Sequence, residues 1–263
     1  MKWIIIIVIT AGIIGLSFIS KNRPRSKQHK SVSLSKNITG SYAPVAVLEL
    51  FTSEGCSSCP PADDLLPQLT KLDDNIIPLS FHVDYWNRLG WKDPFSSSEY
   101  SERQREYARQ LNLESVYTPQ LVVNGEYEMV GSNRSQAEAA IKKSLKENDQ
   151  LQFSITDIKN VNNKLQFTVH TTGDFNKTDL LAALVQKQAI VNVKAGENKG
   201  EKLSHTNIVR AFSSHTAALK TDFELSIPES LNDSQWQLII YSQRKNDLKI
   251  TGAVLFNPSY RGN

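Results

Sequence analysis

The chain has 263 residues, 40% hydrophobic and 22% charged, which suits a globular protein with one large domain or two modest ones. Twelve glycines and ten prolines exclude a fibrous or low-complexity chain. The formal net charge of +3 conceals an asymmetry: residues 1–30 carry six basic residues (Lys2, Lys21, Arg23, Arg25, Lys27, Lys30) and no acid, so removing those six from 30 leaves 24 basic against 27 acidic residues. The remainder is slightly acidic and gives no support to a nucleic-acid partner.

Lys2 precedes an apolar run from Trp3 to Ile19, and residues 1–20 read as an export signal or an N-terminal membrane anchor. Gly15 and Ser17 are small enough for a cleavage site, but the Ile-rich run lacks an A-x-A ending. A removed signal and an uncleaved tether through residues 3–19 therefore both stay open. Five basic residues follow the run and only Lys2 precedes it. The positive-inside rule alone would hold the C-terminal side in the cytoplasm. Placement at residue 1 favours export to the periplasm or another extracytoplasmic space. Residues 21–43 are polar, basic and without hydrophobic period, and read as a disordered linker.

Order begins at Pro44. Val45–Phe51 is a buried-strand run, and Pro61–Leu69 a helix just after Cys56 and Cys59. Ile76–Val83 is a second strand, and Ser98–Leu111 a charged helix on whose solvated face Arg103 and Arg105 are expected. Gln120–Val123 runs into the turn Asn124-Gly125 and pairs with Tyr127–Gly131; Ser135–Leu145 is an amphipathic helix. Beyond residue 149 the pattern becomes alternating and short: Leu151–Ile155, Leu165–Val169, Leu180–Val185, Ala189–Val193, Phe223–Ile227, Trp236–Ser242 and Ile250–Phe256. The expected organisation is an α/β domain over 44–149 followed by a small all-β, sandwich-like domain over 150–263.

The two cysteines are separated by two residues. Such a pair is no disulfide scaffold and closes too small a loop to stabilise much. It also supplies only half of a four-ligand zinc site. Placed between a strand and a helix, Cys56 would lie against helix N-terminal amides, which favour a thiolate. Cys56 is then the attacking thiol and Cys59 the resolving one, with the small Ser57 and Ser58 leaving Cys56 accessible. Far along the chain, Thr118-Pro119 opens a strand, and proline is the residue for which a cis peptide is cheap. The order β-α-β-α-β-β-α, with cysteines at the first strand-to-helix junction and this proline later, is that of a thioredoxin fold, where such a proline faces the dithiol.

The motifs Gly55-Cys56-Ser57-Ser58-Cys59-Pro60-Pro61-Ala62-Asp63, His82-Val83-Asp84-Tyr85-Trp86, Leu89-Gly90-Trp91-Lys92-Asp93-Pro94-Phe95, Arg103-Gln104 and Tyr117-Thr118-Pro119-Gln120 resemble the exported bacterial thioredoxin-like proteins grouped as a family of unknown function (domain of unknown function 1223). The likeness extends to Gly196–Gly200 and Asn207–Arg210 and covers roughly residues 44–257. It implies a thioredoxin-like fold, residence outside the cytoplasm and no settled substrate. Pro60-Pro61 departs from a general redox thioredoxin by removing two amide donors from the first helical turn.

Tyr85, Trp86 and Trp91 lie in an aromatic insertion that either forms a substrate-binding face over the dithiol or simply packs a loop onto the core. His82 and Asp84 share a strand face by the two-residue period and are candidates for proton transfer to Cys59; the plainer reading of His82 is a satisfied core residue. His205, Asn207 and Arg210 fall in or beside a strand without an assigned role. The leading expectation is an extracytoplasmic thiol–disulfide oxidoreductase that acts on protein thiols and disulfides, works with a redox partner protein, and needs no metal or organic cofactor. One alternative is copper(I) or other soft-metal handling through the cysteines and His82. Another is a non-catalytic envelope module with an inert disulfide.

Overall fold

The computed structural model describes residues 32–33, 38–39, 44–147 and 151–258. The expected signal or anchor and most of the expected linker lie outside these residues. Among the described residues no helix is long and apolar enough to cross a membrane.

Two residue pairs inside the expected linker are strands, β1 (Val32–Ser33) and β2 (Ile38–Thr39). The first half then follows the expected order: β3 (Ala46–Thr52), α1 (Pro60–Leu69), β4 (Ile76–His82), α2 (Ser98–Gln110), β5 (Gln120–Val123), β6 (Tyr127–Val130) and α3 (Arg134–Ser144). The second half comprises β7 (Gln152–Val161), β8 (Lys164–Thr172), β9 (Thr178–Asn192), β10 (Lys202–Thr216), β11 (Lys220–Ser226), β12 (Trp236–Arg244) and β13 (Ile250–Phe256). The architecture is mixed α/β. A large mixed sheet has the order β13-β12-β9-β10-β4-β3-β5-β6, and a separate antiparallel sheet has the order β1-β7-β8-β11, with β2 also on β7. By lying along β7, β1 and β2 cover backbone groups that an edge strand leaves free.

The expected boundary near residue 150 does not divide the large sheet. Strand β10 pairs in parallel with β4 at Ile208 and Ser80, and antiparallel with β9 along almost its whole length. A sandwich does form in the second half, but one of its two layers is a continuation of the first half's sheet. Side-chain alternation explains why. Leu181, Ala183 and Val185 of β9 join Phe51, Phe81, Tyr100 and Tyr107 on the face covered by α2. The intervening Leu180, Ala182 and Leu184 pack with Trp236, Leu238 and Ile240 against Phe153, Ile155, Leu165 and Phe167 of the smaller sheet. Along β3, Ala46, Leu48 and Leu50 turn the other way, towards Leu65, Leu66 and Leu69 of α1 and Ile141 of α3. A strand apolar on both faces needs cover on both.

Helix α2 carries a correction. Arg105 is exposed, 45%, but Arg103 is buried, 6% exposed. Its Nε and Nη2 donate to the carboxylate of Glu49 at 2.8 and 2.9 Å, Nη1 donates to Gln243 Oε1 at 3.3 Å, and Nη2 also donates to the Tyr107 hydroxyl. The hydroxyls of Tyr107 and Tyr241 donate to the same carboxylate. The rings of Phe81, Tyr107, Phe212 and Tyr241 surround the guanidinium at 5.0–5.8 Å. Glu49 interrupts an apolar strand and needs a matching cation, which only a fork of donors from α2 supplies. Arg103→Met strands that carboxylate in the core and is expected to cost roughly 3–5 kcal/mol in urea unfolding, whereas Arg103→Met combined with Glu49→Leu costs less than the single change.

Candidate functional site: a buried disulfide held by both halves of the chain

Cys56 and Cys59 form a disulfide with their Cα atoms 5.5 Å apart. They sit where β3 hands over to α1, in a turn closed by Cys56 N–H to Ser53 O and Cys59 N–H to Cys56 O. The helix begins at Pro60, so two first-turn amides do not exist. The next two, of Ala62 and Asp63, donate to the Cys59 carbonyl at 2.9 and 3.1 Å. No free helix amide therefore serves the Cys56 sulfur, contrary to the expectation from a general helix start; the partner at 3.4 Å is the Ser58 hydroxyl.

Both cysteines are fully buried, although Ser57 and Ser58 are exposed. The loop joining β9 to β10 closes over them from the other half of the chain. Asn198 Nδ2 donates to the carbonyls of Glu54 and Cys56, both at 2.9 Å. Glu197 Oε2 accepts from the Ser57 amide at 3.1 Å and its hydroxyl at 2.8 Å, and these bonds hold its carboxyl below the usual range. The accessibility expected of Cys56 from its small neighbours is thus overridden by a loop about 140 residues away in sequence.

The other expected residues divide. The Thr118–Pro119 bond is cis, and Thr118 stands beside the dithiol turn, its carbonyl accepting from Ser58 Oγ at 3.4 Å. Trp86, whose Nε1 donates to Thr118 Oγ1 at 2.8 Å, packs closely on Gly55, where a Cβ would come within 2.9 Å of the Trp86 Cβ. Trp91 Nε1 donates to Glu54 Oε2 at 2.7 Å. Both tryptophans and Tyr85 are half-buried, and Tyr85 is turned to Gln104 of α2, at 3.2 Å. His82 and Asp84 do not work as a pair. Strand β4 ends at His82, so the two-residue period stops there, and Asp84 turns to α2, where its carboxylate accepts from Ser101 Oγ. His82 Nδ1 instead meets Asp93 Oδ2 at 2.7 Å. Burial works against ionising Asp93 but is outweighed by His82 and by the amides of Glu54 and Phe95, so its carboxyl is held below the ordinary range.

His205 of β10, with its neighbours Glu54 and Asp63, completes the site. It is 1% exposed, with Nε2 at 3.4 Å from Glu54 Oε1 and Nδ1 at 3.5 Å from Asp63 Oδ2. These are ion-pair separations, longer than hydrogen bonds of ordinary geometry. Burial disfavours the imidazolium, yet the two carboxylates outweigh it and push the His205 pKa up to about 9. The ring of His82 stands across it at 4.8 Å between centroids. Acids on both sides of the cysteine pair are the sequence signal for this cluster; nothing nearby in the chain marks their cation. Among the described residues no group of three or more His, Cys, Asp or Glu is arranged to hold a metal ion.

This geometry defines an α/β protein with one disulfide at a strand-to-helix junction, capped by a hairpin from its own C-terminal half. The chain belongs to the family described as a protein of unknown function, DUF1223, which it matches over residues 47–243. A crystal structure of protein AGR_C_4864 from Agrobacterium tumefaciens is similar, with 27% identity and a TM-score of 0.62 over 84% of this chain and 97% of that one. No curated protein matches.

Two outcomes are expected. Asn198→Ala removes two of the four hydrogen bonds that pin the capping loop, lowering the cost of opening by about 1–2 kcal/mol, so reduction by dithiothreitol should accelerate roughly tenfold, followed by thiol alkylation. For His205, a folded pKa raised from 6.5 to about 9 means that its stabilisation is complete below pH 6.5 and disappears as pH rises through 9. Urea unfolding across that window should show a loss of stability in the native chain that is absent from His205→Gln.

Proposed function

We propose that this protein is an extracytoplasmic thiol–disulfide oxidoreductase with a thioredoxin-like first half, acting on the cysteines of other proteins. The observation that carries the reading is the pairing of Cys56 and Cys59 at the β3–α1 junction beside Thr118-Pro119. A two-residue spacing adds little to stability, whereas a disulfide in this position, ringed by buried ionisable groups, suits exchange.

A substrate thiolate attacks the Cys56 sulfur, the Cys56–Cys59 bond breaks, and Cys59 leaves and takes a proton. The second substrate thiol loses its proton and attacks the substrate sulfur of the mixed disulfide, releasing Cys56. The substrate is oxidised by two electrons and the protein becomes a dithiol; the reverse sequence reduces a substrate disulfide. A redox partner protein returns the pair to its starting state. Because both sulfurs are buried, each attack requires the Glu197–Asn198 contacts to part. Trp86 and Trp91, half-buried around the turn, supply the surface for a substrate chain. The apolar run at residues 3–19 directs export, as a signal or as a tether.

Cys56→Ser is expected to abolish insulin-type disulfide reduction, and Cys59→Ala to accumulate a mixed disulfide on Cys56 that mass spectrometry identifies. Equal rates for the native chain and Cys56→Ser would eliminate the reading.

A further inference from the structure

Glu54 lies two residues before Cys56 and Asp63 four residues after Cys59. Both side chains turn inward to the same imidazole, contributed by β10. On α1 the i, i+4 relation puts Asp63 on the helix face of Cys59, with its side chain leaning back towards it. The dithiol turn is therefore bracketed in sequence by two buried carboxylates that share one cation. The remaining neighbours of His205 are identifiable. His82 of β4 faces its ring and is itself bonded to Asp93, and Phe95 stands 6.0 Å away with the Arg210 guanidinium over its ring at 5.0 Å.

A buried ion cluster of this kind stabilises a fold less than apolar packing of equal volume, so stability alone is a weak reason for it. We propose that His205 is a positioning residue of the dithiol: its imidazolium, shared between Glu54 and Asp63, is electrostatically coupled to the redox state of Cys56 and Cys59. Reduction adds two electrons to the sulfur pair, and with one proton taken up it leaves a thiolate and a thiol. The thiolate adds a negative charge to a water-poor region that already holds two carboxylates against one cation, where charges interact strongly. The imidazolium is the group that offsets it. The direction of the charge fixes the sign. Protonated His205 favours the thiolate, and the thiolate in turn raises the proton affinity of His205, because coupling between two sites is reciprocal. In this way the C-terminal half, through β10, tunes chemistry carried by the first half.

The inference rests on the proposed oxidoreductase reading for its purpose, but its test does not use turnover. In the full-length chain, the His205 imidazole is titrated by NMR in the disulfide state and after reduction by dithiothreitol, its resonance assigned by triple-resonance spectra of the native chain. The expected result is a proton affinity roughly fivefold or more higher in the reduced state. In His205→Gln, the Cys56 thiol should titrate at higher pH than in the native chain, read from the pH profile of iodoacetamide alkylation. Identical imidazole titrations in the two redox states overturn the inference, and they decide it even if the variant does not fold. Coupling in a chain that reduces no protein disulfide sustains the inference and defeats the oxidoreductase reading; turnover without coupling does the opposite. A disulfide that dithiothreitol cannot open in the folded chain overturns both.

Discussion

Strand β10 lies between β9 and β4, and the candidate site depends on that insertion. Its parallel contact with β4 is brief, reinforced by the Ser80 hydroxyl donating to the Thr206 carbonyl at 2.9 Å. The long antiparallel pairing with β9 makes the two strands a stiff hairpin. Docking one edge of that hairpin on β4 brings His205 to Glu54 and Asp63 and the Glu197–Asn198 loop to the cysteine turn. A cysteine pair at the end of β3 is thus enclosed by the chain's two halves, and neither half builds the site alone.

Buried charge is the second constraint. Glu49, Glu54, Asp93 and Arg103 are nearly inaccessible to solvent, as are His82 and His205. Burying a lone charge is costly, so each is matched. Glu49 has Arg103 and two tyrosine hydroxyls, Asp93 has His82 and backbone amides, and Glu54 shares His205 with Asp63. The Glu49 cluster is closed on itself by donors from α2 and β12. The His205 cluster is looser, with ion contacts beyond ordinary hydrogen-bond length, and its two carboxylates flank the cysteine pair in sequence. Tight matching suits a fixed core, whereas loose matching leaves a group able to respond to a change of charge nearby.

The disulfide itself is quiet in this state. Its turn is pinned by Asn198 through two carbonyls, and its exposed serines are engaged by Glu197 and Thr118. In the proposed exchange, the contacts at the loop tip that part are the Glu197 and Asn198 hydrogen bonds to this turn. Local opening of such contacts costs far less than unfolding, so burial of the sulfurs is compatible with the proposed exchange.

Local chemistry made part of this legible in the sequence. The alternation of apolar runs and amphipathic helices marked the order from β3 to α3. The positive φ angles of Asn124 and Gly125 are what an Asn-Gly turn predicts. Two cysteines one turn apart at a strand end had little alternative to each other. Three features escaped for physical reasons. The sequence predicts a strand in or beside His205, Asn207 and Arg210, but β10 is polar and a bulge between Val209 and Ala211 breaks its period, so no apolar alternation announced its length or its place beside β4. Arg103 belongs to a helix whose sequence reads as solvated, and only the distant Glu49 explains its burial. The two-residue period linking His82 to Asp84 failed because the strand ends between them. The sequence by itself determined the elements of the first half and the position of the cysteine pair, because backbone preference and hydrophobic period act over a few residues. Only the tertiary structure decided that His205 and Asn198 meet those cysteines, because charge pairing and loop capping act through space between residues more than a hundred positions apart.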